Sequence, residues 1–245
     1  MIGVVDKDAL LILPHDKIDA ELVEHAGPQL KVVATHSVGY DHINQEVMKA
    51  KGIKVGYTPG ILSDDVADLS ICLTLMTLRK VKEHVKYVKQ FLGKDLILSK
   101  IVIFNRRIED DTWKLSSASP FEHVGTNLKG KTIGIMGLGR IGLAVAKRFS
   151  GFEIGKIIYT ATKPKPEAGH LEHVTFEKLL ADSDVIVITC AFNEQTKEIF
   201  NKDAFKKMKN TAFIINNARG GIIQQNDLVE ALKQGEIAGK CSIYI

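Results

Sequence analysis

The sequence predicts an α/β protein: a doubly wound parallel sheet in the second half of the chain, preceded by a smaller α/β unit and joined to it by a long helix. Three observations predict this fold. Short apolar runs alternate with helical patterns before residue 60, a long helical pattern follows from residue 64, and a glycine-rich turn opens a regular series of strand and helix patterns after residue 126.

The composition is typical of a folded protein, with 245 residues of which 45% are hydrophobic and 25% charged. The net charge of +4 comes from 33 basic and 29 acidic residues that are interspersed, so we expect no nucleic-acid partner. No apolar run approaches the ~18 residues of a membrane span, and we expect a cytoplasmic protein without a membrane partner. Cys72, Cys190 and Cys241 are too dispersed for a disulfide framework or a metal site, so no metal is predicted.

The first unit is predicted to be a parallel sheet built from β-α units. The apolar runs at Leu10–Leu13, Leu30–Thr35 and Ile53–Tyr57 have the length of strands. The intervening patterns at Asp16–His25 and Asn44–Lys51 have the length of short helices. Because no β-α unit precedes the first strand, we expect something outside this chain to complete an edge of the sheet.

A long helical pattern runs from Asp64 to about Gln90. Ser63 is the expected N-cap, and Asp64 and Asp65 suit the positive first turn. Apolar residues keep a spacing of three or four, so the pattern fits either a helix of about 40 Å that bridges two domains or one long core helix. In the segment Phe91–His123, the apolar run Leu96–Phe104 could be a strand, and no role is assigned to the segment.

The second unit alternates strands and helices in the order expected of a doubly wound sheet. Strands are predicted at Thr132–Met136, Lys156–Thr160, Val185–Cys190, Ala212–Ile215 and, as a short final run, Cys241–Ile245. Helices are predicted at Ile141–Phe149, Thr175–Ala181, Lys202–Met208 and Gln225–Gln234.

The glycine-rich turn Gly137-Leu138-Gly139-Arg140-Ile141-Gly142 directly follows a predicted strand and opens a predicted helix. Gly137 would allow the tight turn, Gly139 would let the backbone approach a pyrophosphate, and Gly142 would let the helix pack closely on the strand. The amides at the helix N-terminus would bind the phosphates. The turn therefore predicts a Rossmann-type dinucleotide site, with a plain tight turn as the alternative.

The end of the next strand favours a phosphorylated ribose. An NAD site usually carries an acidic residue about twenty residues after the glycines, but this position holds Thr160, Thr162 and Lys163, followed by Lys165. Hydroxyl groups and positive charge suit a 2′-phosphate. We predict a preference for NADP(H), with NAD(H) possible, and an ordinary solvated loop is the alternative.

Four separated motifs resemble the D-2-hydroxyacid dehydrogenase family. They are His36-Ser-Val-Gly-Tyr-Asp-His42, Gly56-Tyr-Thr-Pro59 followed by Asp65-Val-Ala-Asp68, Asn127 to Gly142, and Ile215-Asn-Asn-Ala-Arg-Gly220. Within the family, they are most similar to the glyoxylate/hydroxypyruvate reductase branch. The resemblance implies a partial flavodoxin-like substrate domain over 1–90, an atypical linker and dimer-arm remnant over 91–125, and the NAD(P)-binding Rossmann domain over 126–245.

The resemblance also implies roles for individual residues. Arg219 would be the catalytic arginine that binds the substrate carboxylate and polarises the keto oxygen, and the backbone amides of Val38 and Gly39 would bind the same carboxylate. Cys190 is expected to line the cofactor site with the glycine turn. The family assigns the proton-donor role to neither His36 nor His42, so we expect both to be surface or loop histidines.

The resemblance ends after Gly239, and the family's glutamate and proton-donating histidine have no counterpart in the sequence. We therefore expect a chain truncated at both ends relative to the family, and impaired in the NADPH-dependent reduction of glyoxylate or hydroxypyruvate to the D-2-hydroxy acid. A non-catalytic dinucleotide-binding regulatory protein of the same fold is the alternative. The resemblance further implies a homodimer formed through the long helix and the loop at Trp113.

Overall fold

The smaller unit is a three-stranded parallel sheet covered by two helices. A computed structural model describes residues 3–82, 85 and 125–242. The sheet has the order β1-β2-β3, and Val33 on its central strand is fully buried. Its elements are β1 (Ala9–Ile12), α1 (Ala20–Ala26), β2 (Val32–Thr35), α2 (Gln45–Lys51) and β3 (Lys54–Gly56). The predicted order of these elements is confirmed, with boundaries shifted by a few residues.

The larger unit is a six-stranded sheet with the order β6-β5-β4-β7-β8-β9, and every pair is parallel. Its strands are β4 (Thr132–Met136), β5 (Lys156–Thr160), β6 (Glu172–His173), β7 (Val185–Ile188), β8 (Phe213–Asn216) and β9 (Gly239–Ser242). This is the 3-2-1-4-5-6 arrangement of a doubly wound dinucleotide-binding fold. The predicted fold class is therefore confirmed.

Helices cover both faces of the larger sheet. Its central strand β7, Val-Ile-Val-Ile, is wholly buried, as expected of a strand that packs against helices on both sides. Side-chain caps explain where several helices begin, since Thr175 and Asn201 each accept a hydrogen bond from a first-turn amide. The helices are α3 (Ser63–Leu78), α4 (Arg140–Phe149), α5 (Phe176–Asp182), α6 (Lys202–Lys207) and α7 (Gln225–Gln234).

The long helix differs from its prediction at both ends. Ser63 is inside α3, and Leu62 occupies the N-cap position without a side-chain hydrogen bond to the described residues. The helix stops at Leu78, where Lys80 takes a left-handed conformation with φ of 51° and the Thr126 amide donates to the Leu78 carbonyl at 2.9 Å. That carbonyl is thus satisfied from a distant segment, and the single helix predicted to Gln90 is wrong. Helical backbone resumes at residue 81.

Helix α3 packs against α4, β8 and β9 of the larger unit. Arg148 on α4 forms ion pairs with Asp64 and Asp68 in the first turns of α3, which fixes the two helices side by side. No helix within the described ranges has the length and apolar character needed to cross a membrane. The predicted strand Leu96–Phe104, the Trp113 loop and residues 243–245 lie outside the described residues.

Candidate active site

The glycine turn lies where ligands bind in open parallel sheets. Strands β4 and β7 are neighbours whose connections leave in opposite directions, and the crevice beyond their carboxyl ends is the usual ligand site. Gly137 follows β4, and Thr189 follows β7. The Thr189 hydroxyl donates to the Gly137 carbonyl at 2.7 Å, and the Gly137 amide donates to the Thr160 carbonyl at 2.9 Å. These bonds tie the turn to both flanking strands.

Two of the three glycines are required by the protein's own packing. Gly137 has φ of 95°, and a Cβ at that position would lie 2.5 Å from the Cα of Cys190. A Cβ at Gly142 would overlap the Gly137 carbonyl oxygen, so α4 starts in direct contact with the turn. The tight-turn and helix-packing functions predicted for these two residues therefore match the geometry.

Gly139 is different because a Cβ there would meet no described atom within 4 Å. The residue is exposed and is the N-cap of α4, and no side-chain cap from the described residues covers this end of the helix. A helix N-terminus without such a cap, with open space at its N-cap residue, fits a pyrophosphate group. Arg140 is exposed beside it, whereas Ile141 is half-buried and the Leu138 side chain is only 2% exposed, so Leu138 can offer only its backbone.

The end of β5 presents its polar residues at the same edge of the sheet. Thr160 is half-buried, and Thr162 and Lys163 are exposed. The loop they occupy is supported from below, because the buried Tyr159 hydroxyl accepts a hydrogen bond from the Lys165 amide at 2.9 Å. The His173 ring packs 5.1 Å from that of Tyr159, and its Nε2 lies 3.1 Å from the Ala161 carbonyl oxygen.

Cys190 forms a wall of the glycine turn. Its backbone fills the space that a side chain at Gly137 would need. Burial raises the pKa of the Cys190 thiol to about 11, so at neutral pH the group is uncharged. It can therefore contribute shape to a cofactor site without adding negative charge near a phosphate.

Arg219 and the 37–39 turn meet although they lie far apart in the sequence. Nη2 and Nε of Arg219 lie 3.0 and 3.1 Å from Oδ1 of Asp41, and Nη1 donates to the Ala218 carbonyl at 3.1 Å. A Cβ at Gly39 would overlap Nη2 of Arg219, so the guanidinium lies directly against the Gly39 backbone and a side chain there would displace it. Asn216 shapes the turn that carries Arg219 by donating to its carbonyl oxygen at 2.9 Å.

The two histidines of the first motif have different environments. His36 is exposed, as predicted. His42 is half-buried, with its Nε2 3.0 Å from the Thr35 hydroxyl and its Nδ1 buried without a hydrogen-bond partner among the described residues. His42 lies in a turn, as predicted of a loop histidine, but its ring is partly buried and contacts the Thr35 hydroxyl, so it is not a plain surface residue.

Sequence reasoning missed Asp41, Tyr159 and Thr189. Asp41 is part of the motif His36–His42, so the motif could have suggested a role for it, but only folding shows that Arg219 is its partner. The hydroxyls of Tyr159 and Thr189 support the two loops from the end of a buried strand. Such support depends on three-dimensional neighbours and leaves no pattern in the sequence.

Fold and site together define a dinucleotide-binding α/β protein whose glycine turn and Arg219 share one edge of the sheet. Residues 96–241 match the family model described as "D-isomer specific 2-hydroxyacid dehydrogenase, NAD binding domain". The chain belongs to the D-isomer specific 2-hydroxyacid dehydrogenase family. The match to an NAD binding domain supports a nicotinamide dinucleotide as the cofactor.

Individual relatives agree with this assignment. The chain is 39% identical over 239 residues to glyoxylate reductase/hydroxypyruvate reductase of Mus musculus, covering 96% of this chain and 66% of the relative. The crystal structure of TT0316 protein from Thermus thermophilus aligns with a TM-score of 0.81 at 33% identity, over 98% of this chain and 69% of that one. D-lactate dehydrogenase from Aquifex aeolicus, complexed with NAD and lactic acid, aligns with a TM-score of 0.79 at 25% identity, over 98% and 65%. The chain thus spans slightly less than two thirds of the length of the curated relative.

Proposed function

We propose that this chain binds NADPH in preference to NADH and positions a small 2-keto acid, glyoxylate or hydroxypyruvate, for reduction to the D-2-hydroxy acid. The observation that carries the proposal is the contact between Arg219 and the 37–39 turn. It brings a cation from the larger unit to a backbone turn of the smaller one. The name of the mouse relative supports the same class of substrate.

The cofactor half of the site is built from backbone. In the proposal, the amides of Gly139, Arg140 and Ile141 bind the pyrophosphate at the N-terminus of α4. Gly137, Leu138 and Gly142 give the turn its shape, and Cys190 supports it from the end of β7. When bound, the nicotinamide supplies the hydride for the reduction.

The substrate half combines two amides with a planar cation. The amides of Val38 and Gly39 would donate to the substrate carboxylate, and Arg219 would bridge the carboxylate and the keto oxygen. A guanidinium suits this task because its donors are fixed in a plane and its charge is permanent. Placed beside the keto oxygen, it would also stabilise the negative charge that develops there during reduction.

Preference for NADPH rests on the end of β5. No Asp or Glu occurs between Thr160 and Pro166, whereas Thr160, Thr162 and Lys163 offer hydroxyls and positive charge at this edge. Fluorescence titration of the chain with each cofactor tests the preference. We expect NADPH to bind about tenfold more tightly than NADH, since a hydrogen bond to a charged group is worth about 1.5–3 kcal/mol. Equal dissociation constants would contradict the preference.

The substrate proposal is tested by titrating the NADPH-saturated chain with oxamate, an unreactive mimic of a 2-keto acid. We expect saturable binding to the chain with NADPH. NADPH oxidation with glyoxylate and with hydroxypyruvate, followed by absorbance, measures the proposed reduction itself. NADPH binding without oxamate binding would favour the regulatory alternative.

A second copy of this chain is the proposed protein partner. Leu62 at the N-cap of α3 and Leu69 and Met76 within the helix recur every seven residues and are 37%, 37% and 41% exposed, which makes an exposed apolar stripe. Sedimentation velocity tests this proposal, and we expect a dimer that the double substitution L69D/M76D converts to a monomer. A wild-type monomer at micromolar concentration would contradict it.

A further inference from the structure

A chain of three hydrogen bonds runs beneath the 37–39 turn and ends on the backbone of Gly39. Nε2 of His42 lies 3.0 Å from the Thr35 hydroxyl oxygen, which lies 2.9 Å from the Ser37 hydroxyl oxygen. The Ser37 hydroxyl lies 2.5 Å from the Gly39 carbonyl oxygen. Thr35 and Ser37 are only 2% and 8% exposed, so water cannot readily replace their partners.

The chemistry of the groups fixes the direction of this chain. The Gly39 carbonyl can only accept, so Ser37 must donate its single proton there. The bond between the two hydroxyls must then be donated by Thr35, which in turn has no proton left for His42. Nε2 of His42 is therefore the donor at the start of the chain.

The direction also determines the state of the imidazole ring. A neutral ring that donates from Nε2 carries its lone pair on Nδ1, the atom buried without a partner among the described residues. A proton on Nδ1 would be a second buried donor without an acceptor there. Burial lowers the pKa of His42, and Arg219 acts in the same direction while Asp41 and Asp16 oppose it. The neutral Nε2–H form agrees with all of these contacts.

Gly39 needs such a restraint because of its contact with Arg219. Any side chain at this position would overlap the guanidinium and displace it, so glycine is the residue that permits the contact as it stands. Glycine has more backbone freedom than any other residue, which would leave the peptide planes of the turn poorly fixed. The hydrogen bond from the Ser37 side chain to the Gly39 carbonyl fixes the peptide plane between Gly39 and Tyr40 and closes the turn from residue 37 to residue 39. The hydrogen bonds to Thr35 and His42 fix the Ser37 hydroxyl in turn.

We propose that His42 is a positioning residue for the substrate carboxylate site: acting through Thr35 and Ser37, it holds the hydrogen bond that closes the 37–39 turn, and so keeps the Val38 and Gly39 amides in position for the carboxylate. This inference rests on the proposed function, which makes those amides the carboxylate donors. It gives His42 a role that requires no contact with substrate.

The first test determines which nitrogen of the His42 ring carries the proton. Two-bond ¹H–¹⁵N correlation spectra of the ¹⁵N-labelled chain, with the His42 signals assigned by their loss in H42Q, report which nitrogen carries the proton. We expect the neutral Nε2–H tautomer at pH 7, and for the T35V variant a shift of the Nε2 signal. The Nδ1–H tautomer would overturn the proposal, because a neutral ring with its proton on Nδ1 cannot donate from Nε2 to the Thr35 hydroxyl.

The second test measures oxamate binding to the NADPH-saturated chain by calorimetry. T35V breaks the series of hydrogen bonds while keeping the shape of the side chain. H42F removes the donor with which that series begins. Each is expected to weaken oxamate binding about tenfold, the equivalent of one hydrogen bond, and to leave NADPH binding unchanged. H42Q restores an N–H donor and is expected to recover most of the affinity. H36F, at the exposed histidine of the same motif, is the matched control and is expected to bind like wild type.

The outcomes separate the two proposals. If the wild type binds NADPH but not oxamate, the proposed substrate site is wrong, and the inference falls with it. If the wild type binds oxamate and T35V binds it equally well, only the positioning role of His42 is overturned. Should H42F fail to fold, T35V and the tautomer measurement still decide the question.

Discussion

We expect the fold to require Gly137 and Gly142 of the glycine turn, and the cofactor to require Gly139. The informative pair of substitutions is G137A and G139A, since the two positions lie in one turn and receive the same methyl group. At Gly137 the methyl group would be 2.5 Å from the Cys190 backbone on a residue with φ of 95°. At Gly139 it would meet no described atom within 4 Å, and φ is −91°.

These geometries predict opposite effects. In G137A, the left-handed conformation costs about 1–2 kcal/mol and the forced overlap about 1–3 kcal/mol. At about 2–4 °C per kcal/mol for a chain of this size, a loss of about 3 kcal/mol lowers Tm by about 6–12 °C. G139A has an ordinary backbone and open space, so its Tm should change by no more than about 2 °C. Its methyl group would instead occupy the space of the pyrophosphate and weaken NADPH binding at least about tenfold, the equivalent of one charged hydrogen bond.

Differential scanning calorimetry and fluorescence titration with NADPH measure the two effects on the same samples. G151A is a suitable control, because a Cβ at Gly151 also meets no described atom within 4 Å and the residue lies at the far end of α4. We expect it to keep both the wild-type Tm and the wild-type affinity. The reasoning is refuted if G139A binds NADPH like G151A, or if G137A melts at the wild-type temperature.

Three further predictions concern single side chains. R219K keeps the charge but loses the planar guanidinium that faces Asp41, so calorimetry should show oxamate binding at least about tenfold more weakly, with NADPH binding unchanged. Unchanged oxamate affinity would argue against Arg219 as the carboxylate ligand. K163E places an acidic group at the end of β5 and should reverse the ratio of NADPH to NADH affinity in fluorescence titration, with K129E, on a distant exposed lysine, as its control. Because the pKa of Cys190 is raised to about 11, the rate of its alkylation, measured by peptide mass spectrometry, should be low at pH 7 and rise about tenfold per pH unit up to about pH 10. NADPH should lower this rate further, and a rate that does not change with pH over this range would contradict the buried, uncharged thiol.

The fold was predictable where a local pattern had one interpretation. Strand β5 and helix α7 have the predicted boundaries, because a run of buried apolar residues and a capped amphipathic segment each specify their own ends. The end of α3 was not predictable in this way. Apolar spacing continues past Leu78, but Lys80 adopts a left-handed conformation and the amide of Thr126, a residue far along the chain, takes the last carbonyl. The two-residue strand β6 is too short to leave a pattern.

The same division applies to the site. The glycine turn could be placed from the sequence because a strand, three glycines and a helix follow one another directly. The meeting of Arg219 with the 37–39 turn required the fold, because the two segments belong to different sheets. Nothing in the local sequence distinguishes His42 from His36, and only the buried hydroxyls of Thr35 and Ser37 make the difference. Whether these residues act as proposed stays a prediction.

The support under the loop after β5 bears on how cofactor choice could be engineered. The Tyr159 hydroxyl and the His173 ring hold the backbone of residues 161–165 from beneath, so the path of the loop is set by groups that do not face the ligand edge. Thr162 and Lys163 are exposed on top of this support. A library limited to those two positions would therefore vary the side chains offered to the ribose while leaving the distance between the loop backbone and the glycine turn unchanged. Exchanging the whole loop with that of another protein would discard this geometry along with the side chains.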